Sequence, residues 1–474
     1  MSLKQDFDMV NPNVLLVVMD ATRADHTSVH GYERDTTPNL VELAADGYQF
    51  DNAFSAAPWT PPSHGSIFGG VHPTTHGFLD IGMPYRPPHP PLAERLQEEG
   101  YYTFGAVQNS NITSETELTR GFEDYCDLYR LPFVPETFEE LRSYYLDLVP
   151  GYVRMAWEMR VGDRKPGEYL TSEYIKTRIR RSAGTQSFFG FINLLAPHTK
   201  YAPPKSYRRE FNRGPHPDTD DELVTEMSHN GGYRYMAGEV EPSEADWAAL
   251  TDLYDGEIAF ADAILGKLLD TLKKAGVYDE TLVIVTGDHG EHFGEHELAY
   301  HQFSLFDELL HVPLVVKPPG TSTGHRVEDM VSLVDIYPTV LSELELDVPK
   351  TIEGQNLFDD RGREAVFAEF GDPVTGISTL KNHTADPDEE LLAELDHALQ
   401  CARTTDEKYL RVHGGEDKVY DVGSGYPKDT LKHTGRRERL AQLVSERLGD
   451  DLGVETVDPE DPKIVENLKA LGYR

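Results

Sequence analysis

The sequence predicts an α/β fold built on a mostly parallel sheet. Short, almost continuously apolar runs recur along the chain, each the length of a strand buried on both faces. They are Val14–Met19, Phe104–Val107, Phe188–Leu195 and Leu282–Thr286, with Pro313–Lys317 as a fifth. Segments with helical spacing lie between them, and that alternation is the pattern of β–α–β units. The 474 residues are 39% hydrophobic, with 24 Tyr and 20 Phe, which suits a large packed core and excludes a disordered chain.

Taken in order, Val14–Met19 ends on Asp20. Thr37-Pro38-Asn39-Leu40 opens a helix, with Thr37 as N-cap, Pro38 in the first turn, Leu40, Leu43 and Ala44 on one face, and Gly47 as the stop. Pro91–Gly100 repeats that pattern. The longest helix is expected from about Ser243 to Ala275, with Leu250, Leu253, Tyr254, Ile258, Leu265, Leu268 and Leu269 at helical spacing. The segment from about 199 to 242 is rich in Pro, Gly and charge and reads as a surface insertion framing a site. Near 372 the character changes. A polar stretch, Val374–Glu390, precedes Gln400–Thr404, Tyr409–Val412 and Lys418–Val422 at hairpin spacing, then amphipathic Arg436–Leu448 and Lys463–Leu471. The expected organisation is a catalytic α/β domain over 1–372 and a small α+β subdomain over 373–474, with no internal repeat.

The formal net charge is −38, from 82 acidic and 44 basic residues. Self-repulsion of that size opposes a compact fold unless concentrated salt screens it, so the expectation is a halophile with high internal salt. Acidic runs such as Asp386–Glu390 read as solvated surface, and the charge excludes a nucleic-acid partner. Two cysteines, Cys126 and Cys401, with no CxxC spacing, do not make a disulfide scaffold. Met1–Asp8 lacks the basic and apolar regions of a signal peptide, and Val14–Met19 is too short to span a membrane, so a cytoplasmic location is expected.

Ligands of open α/β sheets sit beyond the carboxyl ends of the strands. Asp20 follows the first run, His198 the third, and Asp288-His289 the fourth after a single Gly. Ala57-Pro-Trp-Thr60-Pro-Pro-Ser-His64-Gly-Ser66 adds a hydroxyl at a turn. A hydroxyl attacking phosphorus or sulfur near neutral pH needs activation, which a cation supplies. Asp20, Thr60, Asp288 and His289 suit one divalent cation, Mn, Ca or Mg. His64 reads either as an anion contact or as a turn residue. Lys200, Arg23, His292, His296 and Asn109-Ser110-Asn111 are further candidates, each balanced by a structural role.

These segments resemble the sulfatase family of the alkaline-phosphatase superfamily. The resemblance runs from Asn13–Arg23 to Leu468–Arg474 and includes Tyr254–Asp262, Asp288–His296 and Phe306–Pro313. It implies an alkaline-phosphatase-like sandwich, a large mostly parallel sheet flanked by helices, and metal-dependent hydrolysis of an anionic ester. Three departures bear on the reaction. Sulfatases carry Cys or Ser in C/S-x-P-x-R and convert it to formylglycine, whereas this chain reads Thr60-Pro61-Pro62-Ser63-His64. Asp20 is followed by Ala21 rather than a second Asp, and Tyr300–Leu305 lacks the Lys common in the family. His301 with Ser304-Leu305-Phe306 is closer to the phosphoglycerol transferases, exemplified by lipoteichoic acid synthases, which resemble this chain in using an acid, a Thr, an Asp and a His around one metal. A second metal is not expected, because Asp255 has Ala259 where two-metal members place His.

The expected reaction is therefore in-line attack by Thr60 on a phosphate-type ester. His198 and His301 steady the other oxygens or protonate the leaving group, and water or an alcohol completes the cycle. The alternatives are a sulfate-ester hydrolase working without formylglycine and a metal-binding pseudoenzyme.

Overall fold

The computed structural model describes residues 11–128, 149, 153, 167–212, 218–359, 362–371, 373–385, 387–422 and 434–452. Lys463–Leu471, the closing Leu468–Arg474 and the Met1–Asp8 segment lie outside the described residues.

The strands are β1 (Asn13–Met19), β2 (Tyr48–Phe54), β3 (Tyr102–Val107), β4 (Asp124–Asp127), β5 (Phe188–Leu194), β6 (Thr281–Thr286), β7 (His292–Phe293) and β8 (Ala299–Tyr300). They continue with β9 (Leu314–Lys317), β10 (His325–Ser332), β11 (Val366–Phe370), β12 (Leu399–Arg403), β13 (Glu407–Val412) and β14 (Lys418–Asp421). Eight of them form one sheet in the order β10-β2-β9-β6-β1-β5-β3-β4.

β1 is central and wholly buried, and its alternation splits the core in two. Leu15, Val17 and Met19 pack with Tyr254, Ile258, Leu265 and Leu268 of the helix Glu244–Ala275 and with Tyr174 and Ile175 of the helix Gly167–Ser182. Val14, Leu16 and Val18 face the other way, toward Ile67 and Phe68 of the helix Thr60–Gly69 and Tyr337 and Val340 of the helix Ile336–Glu343. A strand whose two faces both meet helices must be apolar throughout, which is why it reads as a continuous run.

One directional expectation fails. Pro313–Lys317 reads as a fifth parallel strand, but β9 pairs antiparallel with both β2 and β6. Its four residues are all buried, and an all-buried strand looks the same in sequence whichever way it runs. The parallel pairs β1–β5, β1–β6, β3–β5, β3–β4 and β10–β2 agree with the expectation.

The long helix starts where the sequence places it. Ser243 and Asp246 form a reciprocal capping box, and Gly276, at φ 74°, ends the helix. At the helix Pro38–Ala45 the start is right but the cap differs. The Thr37 hydroxyl meets Ser28 Oγ at 3.0 Å, and the free N–H groups of Asn39 and Leu40 donate to Asp262 of the long helix, both at 2.9 Å. Burial raises the Asp262 carboxyl to about 6 against those hydrogen bonds. Residues 199–242 are more than surface loop: three short helices, Lys205–Phe211, Asp221–Met227 and Gly231–Met236, bury Phe211, Val224, Met227 and Tyr233.

β11 to β14 make a second, antiparallel sheet. β11 precedes the expected boundary at 372, which is itself outside the described residues. One face of this sheet packs Ala368, Phe370 and Cys401 against Trp59, Tyr300 and Phe303 of the larger unit. The other is covered by Leu440, Val444 and Leu448 of the helix Thr434–Leu448. Cys126 and Cys401 are buried free thiols. Among the described residues no helix is long and apolar enough to cross a membrane.

Candidate active site

The carboxyl ends of four parallel strands meet at one place. β1 delivers Asp20, β3 Asn109, β5 Asn193 and then His198, and β6 Asp288 and His289. Thr60 opens the helix Thr60–Gly69 beside them. Asp20, Asp288 and His289 are wholly buried and Thr60 is 2% exposed.

Each carboxylate has one oxygen engaged and one left over. Asp20 Oδ2 accepts from Asn109 Nδ2 at 2.9 Å and Asn193 Nδ2 at 3.2 Å. Asp288 Oδ1 accepts from the N–H groups of Ala21 and His289, both at 3.0 Å. Asp20 Oδ1 and Asp288 Oδ2 are buried without a hydrogen-bond partner. His289 donates Nδ1–H to Gly290 O at 2.9 Å, which turns Nε2 to within 3.7 Å of Asp20 Oδ1 and 3.5 Å of Asp288 Oδ2. One ligand atom from each of Asp20, Asp288 and His289 lies within 4.8 Å of the others. Orphaned carboxylate oxygens are costly in a protein interior, and two of them facing an imidazole nitrogen are a donor set for a divalent cation. The residues therefore fit the cation expected from the sequence.

The electrostatics agree. Burial raises both carboxyls. At Asp20 the imidazoles of His198 and His289 and the Asn109 amide outweigh it and hold the group below its usual range. Asp288, facing the Asp20 charge, is pushed well above its usual range by burial and that charge. Burial holds His289 down to about 3, with His301 adding to the effect, and His64 down to about 4. Both are neutral imidazoles near pH 7.

Thr60 Oγ1 lies 3.3 Å from His289 Nε2 and accepts from Asn109 Nδ2 at 3.3 Å. The Asn109 amide is oriented by Asn111, whose N–H donates to Oδ1 at 3.0 Å. Thr60 opens a helix rather than a simple turn, yet the first turn of that helix offers few amides to an anion. Pro61 and Pro62 have no N–H, and Ser63 donates to Trp59 O. His64 is bound within this wall: Nδ1–H donates to Thr60 O at 3.0 Å, 3.5 Å from Asp288 Oδ2. Ala21 takes the left-handed φ of 54° and is pinned on both sides, by Asp288 at its N–H and by the Tyr254 hydroxyl at its carbonyl, 2.7 Å away.

His301 and His198 join the site through ring contacts. The His289 and His301 centroids are 4.6 Å apart, and those of His301 and His198 are 4.9 Å apart. The Nδ1–H of His301 donates to Glu291 Oε1 at 2.9 Å, and Tyr201 donates its hydroxyl to Glu291 Oε2 at 2.8 Å. Glu291 and Tyr201 are absent from the sequence-derived set, as is Asn193. Asn193 had a signal, as the sole polar side chain inside β5.

The weaker candidates divide. Asn109 is in the site. Arg23 is structural, bound to Asp25 and Glu295 and to Glu291 O. His292 is not an exposed loop residue: it is buried in β7 and bonded to Ser304 Oγ at 2.8 Å. His296 stacks on Phe306 and reaches Glu308. Lys200 is exposed. Asp255 is engaged by His26, Tyr32 and Arg34.

Residues 12–345 match the sulfatase family. The chain belongs to that family. An arylsulfatase of Clostridium perfringens is 25% identical over 387 residues, 74% of this chain and 78% of that protein. The multifunctional alkaline phosphatase superfamily protein PehA of Trinickia caryophylli is 24% identical over 395 residues, 74% and 77% of the two chains. The phosphonate monoester hydrolase of Agrobacterium radiobacter has the same fold, with a TM-score of 0.66 at 22% identity over 92% of this chain and 94% of that one. This member of the sulfatase family is thus a sulfatase-family hydrolase with an alkaline-phosphatase-like fold.

Proposed function

We propose that this sulfatase-family chain is a metal-dependent hydrolase or transferase that acts on a phosphate-type ester through Thr60 as nucleophile. The observation that carries the reading is the position of Thr60 Oγ1, 3.3 Å from His289 Nε2 beside the two orphaned carboxylate oxygens. Held by Asp20, Thr60, Asp288 and His289, a divalent cation (Mn, Ca or Mg) would neutralise charge on the ester and make the Thr60 hydroxyl more acidic.

The chain's own groups supply the rest. Oγ1 of Thr60 bonds to phosphorus as the bond from phosphorus to the leaving oxygen breaks. The hydroxyl proton passes to the buried imidazoles, and His301 or His198 gives one proton to the leaving oxygen. Burial and the neighbouring His198 hold His301 down to about 3, so it rests as a neutral imidazole near pH 7. In the second half, water or an alcohol bonds to phosphorus, the bond to Thr60 breaks, and the proton returns by the same route. A Thr–phosphate ester can be released in this way. A sulfo-threonine is harder to release without the hydrate chemistry that formylglycine provides.

The test is a panel of aryl phosphate, phosphodiester, phosphonate and sulfate esters in molar KCl with several metals, together with the mass of the Thr60 peptide. Faster turnover of a phosphorus ester and an unmodified threonine are expected. The second reading, a sulfate-ester hydrolase without formylglycine, is favoured by the arylsulfatase relatives, and it takes first place if sulfate esters turn over faster than every phosphorus ester. A cation-binding protein that turns over none of them is a pseudoenzyme.

A further inference from the structure

Beside the cation donor set lies a second buried polar cluster, Glu291, His301 and Tyr201. Glu291 is wholly buried, and each of its oxygens has one aromatic partner: Oε1 the Nδ1–H of His301 at 2.9 Å, Oε2 the Tyr201 hydroxyl at 2.8 Å. His301 is 3% exposed and follows β8, while Glu291 follows the His289 turn after β6. Tyr201 comes from a third segment, beyond β5, and is itself 3% exposed. Glu291 is not among the three residues whose atoms converge as ligands. A buried carboxylate shared by one imidazole and one phenol fixes orientation: it selects which ring nitrogen carries the shared proton and which faces the other way.

We propose that Glu291 is the positioning residue of His301: it accepts the Nδ1–H, is itself held by Tyr201, and so presents His301 Nε2 to the leaving oxygen of the ester. The proposal rests on the phosphate-ester reading, in which His301 moves a proton between Thr60 or water and that oxygen. Glu291 takes part in no bond change. Its hydrogen bond to Nδ1 persists while Nε2 gains and then donates one proton in each half of the cycle. The relation resembles the carboxylate–imidazole pair that orients a general base in hydrolases, where loss of the carboxylate leaves the ring in the wrong tautomer.

The experiment joins a double-mutant cycle to a spectroscopic measurement on the metal-loaded protein. Histidine side-chain 15N resonances are recorded for wild type, Glu291→Ala and Glu291→Gln. Turnover of aryl phosphodiesters of rising leaving-group pKa is measured for these, for His301→Ala and for Glu291→Ala/His301→Ala. In wild type, His301 is protonated at Nδ1. Glu291→Ala gives a mixture of tautomers, lowers kcat about 30- to 100-fold with KM within about threefold, and loses most on the poorest leaving groups. Glu291→Gln keeps an acceptor oxygen at the same reach and recovers part of the rate. In the His301→Ala background the added Glu291→Ala costs less than about twofold, because its route of action is gone. An equal cost in both backgrounds, or unchanged His301 resonances in Glu291→Ala, overturns the proposal. If Glu291→Ala does not fold, Glu291→Gln carries the same cycle. If wild type turns over no phosphorus ester, the functional reading fails, and the resonances alone decide whether Glu291 orients His301.

Discussion

Thr60 Oγ1 lies 3.3 Å from His289 Nε2, although the two residues are 229 positions apart. Nδ1 of His289 is committed to Gly290 O, so the nitrogen facing Thr60 is the one with the lone pair. The proposed nucleophile and a candidate cation ligand thus share one small volume.

Replacing Thr60 tests the nucleophile directly. Thr60→Ala is expected to lower turnover of the best phosphorus ester by about a thousandfold or more, since the covalent route is gone. Thr60→Ser keeps the oxygen and retains measurable activity. The fold survives both changes, because the helix is held by Ile67 and Phe68 in the core. Steady-state rates with circular dichroism as control decide the matter. Wild-type rates in Thr60→Ala would transfer the nucleophile's role to water.

Asp288→Asn separates metal binding from backbone support. The Asn Oδ1 still accepts from Ala21 and His289, but an amide nitrogen replaces the orphaned Oδ2. Elemental analysis of wild type should give about one equivalent of divalent metal, and of the variant almost none, with little change in unfolding midpoint of the metal-free forms. Two equivalents that survive the change would rule out the single site.

Asp307 ties the loop after β8 to the second sheet through Lys408 and Arg403. Burial raises this carboxyl, but Lys408 and Arg403, with His311 near, hold it down to about 2 against an ordinary 3.8. A depressed carboxyl contributes stability that is present above its unfolded value and lost as pH falls through the folded one. The contribution is about 1–2 kcal/mol above pH 4, reduced by the partial exposure of the pair, and fades between about 3.8 and 2. Denaturant unfolding of wild type and Asp307→Asn should therefore differ at pH 7 and converge near pH 2. A constant gap across that range would mean that the ion cluster is not what Asp307 contributes.

The net charge of −38 predicts dependence of the fold on salt. The Debye length falls from about 10 Å at 0.1 M to about 3 Å at 1 M, so repulsion among surface carboxylates fades across that range. Thermal midpoints should climb steeply from dilute buffer to molar KCl. A flat profile would remove the halophile reading and point to a partner for the acidic surface.

Sequence alone determined what local chemistry can announce. β1 is legible because a strand covered on both faces has to be apolar at every position, and Asp20 and Asp288-His289 are legible because they follow such strands directly. The capping box of Ser243 and Asp246 is likewise local. Tertiary structure decided the rest. β2, Tyr48–Phe54, mixes buried and half-buried positions with no period of two and no strong apolar run, and only its neighbours β9 and β10 make it a strand of the large sheet. The direction of β9 has no local signature, since burial on both faces erases the period. Asp262 displaces Thr37 as the helix cap because the long helix passes beside those amides. Glu291 carries no motif-level role of its own. It becomes the partner of His301 and Tyr201 only when three separated segments close over one buried carboxylate, and a buried carboxylate must find such partners wherever the fold brings them.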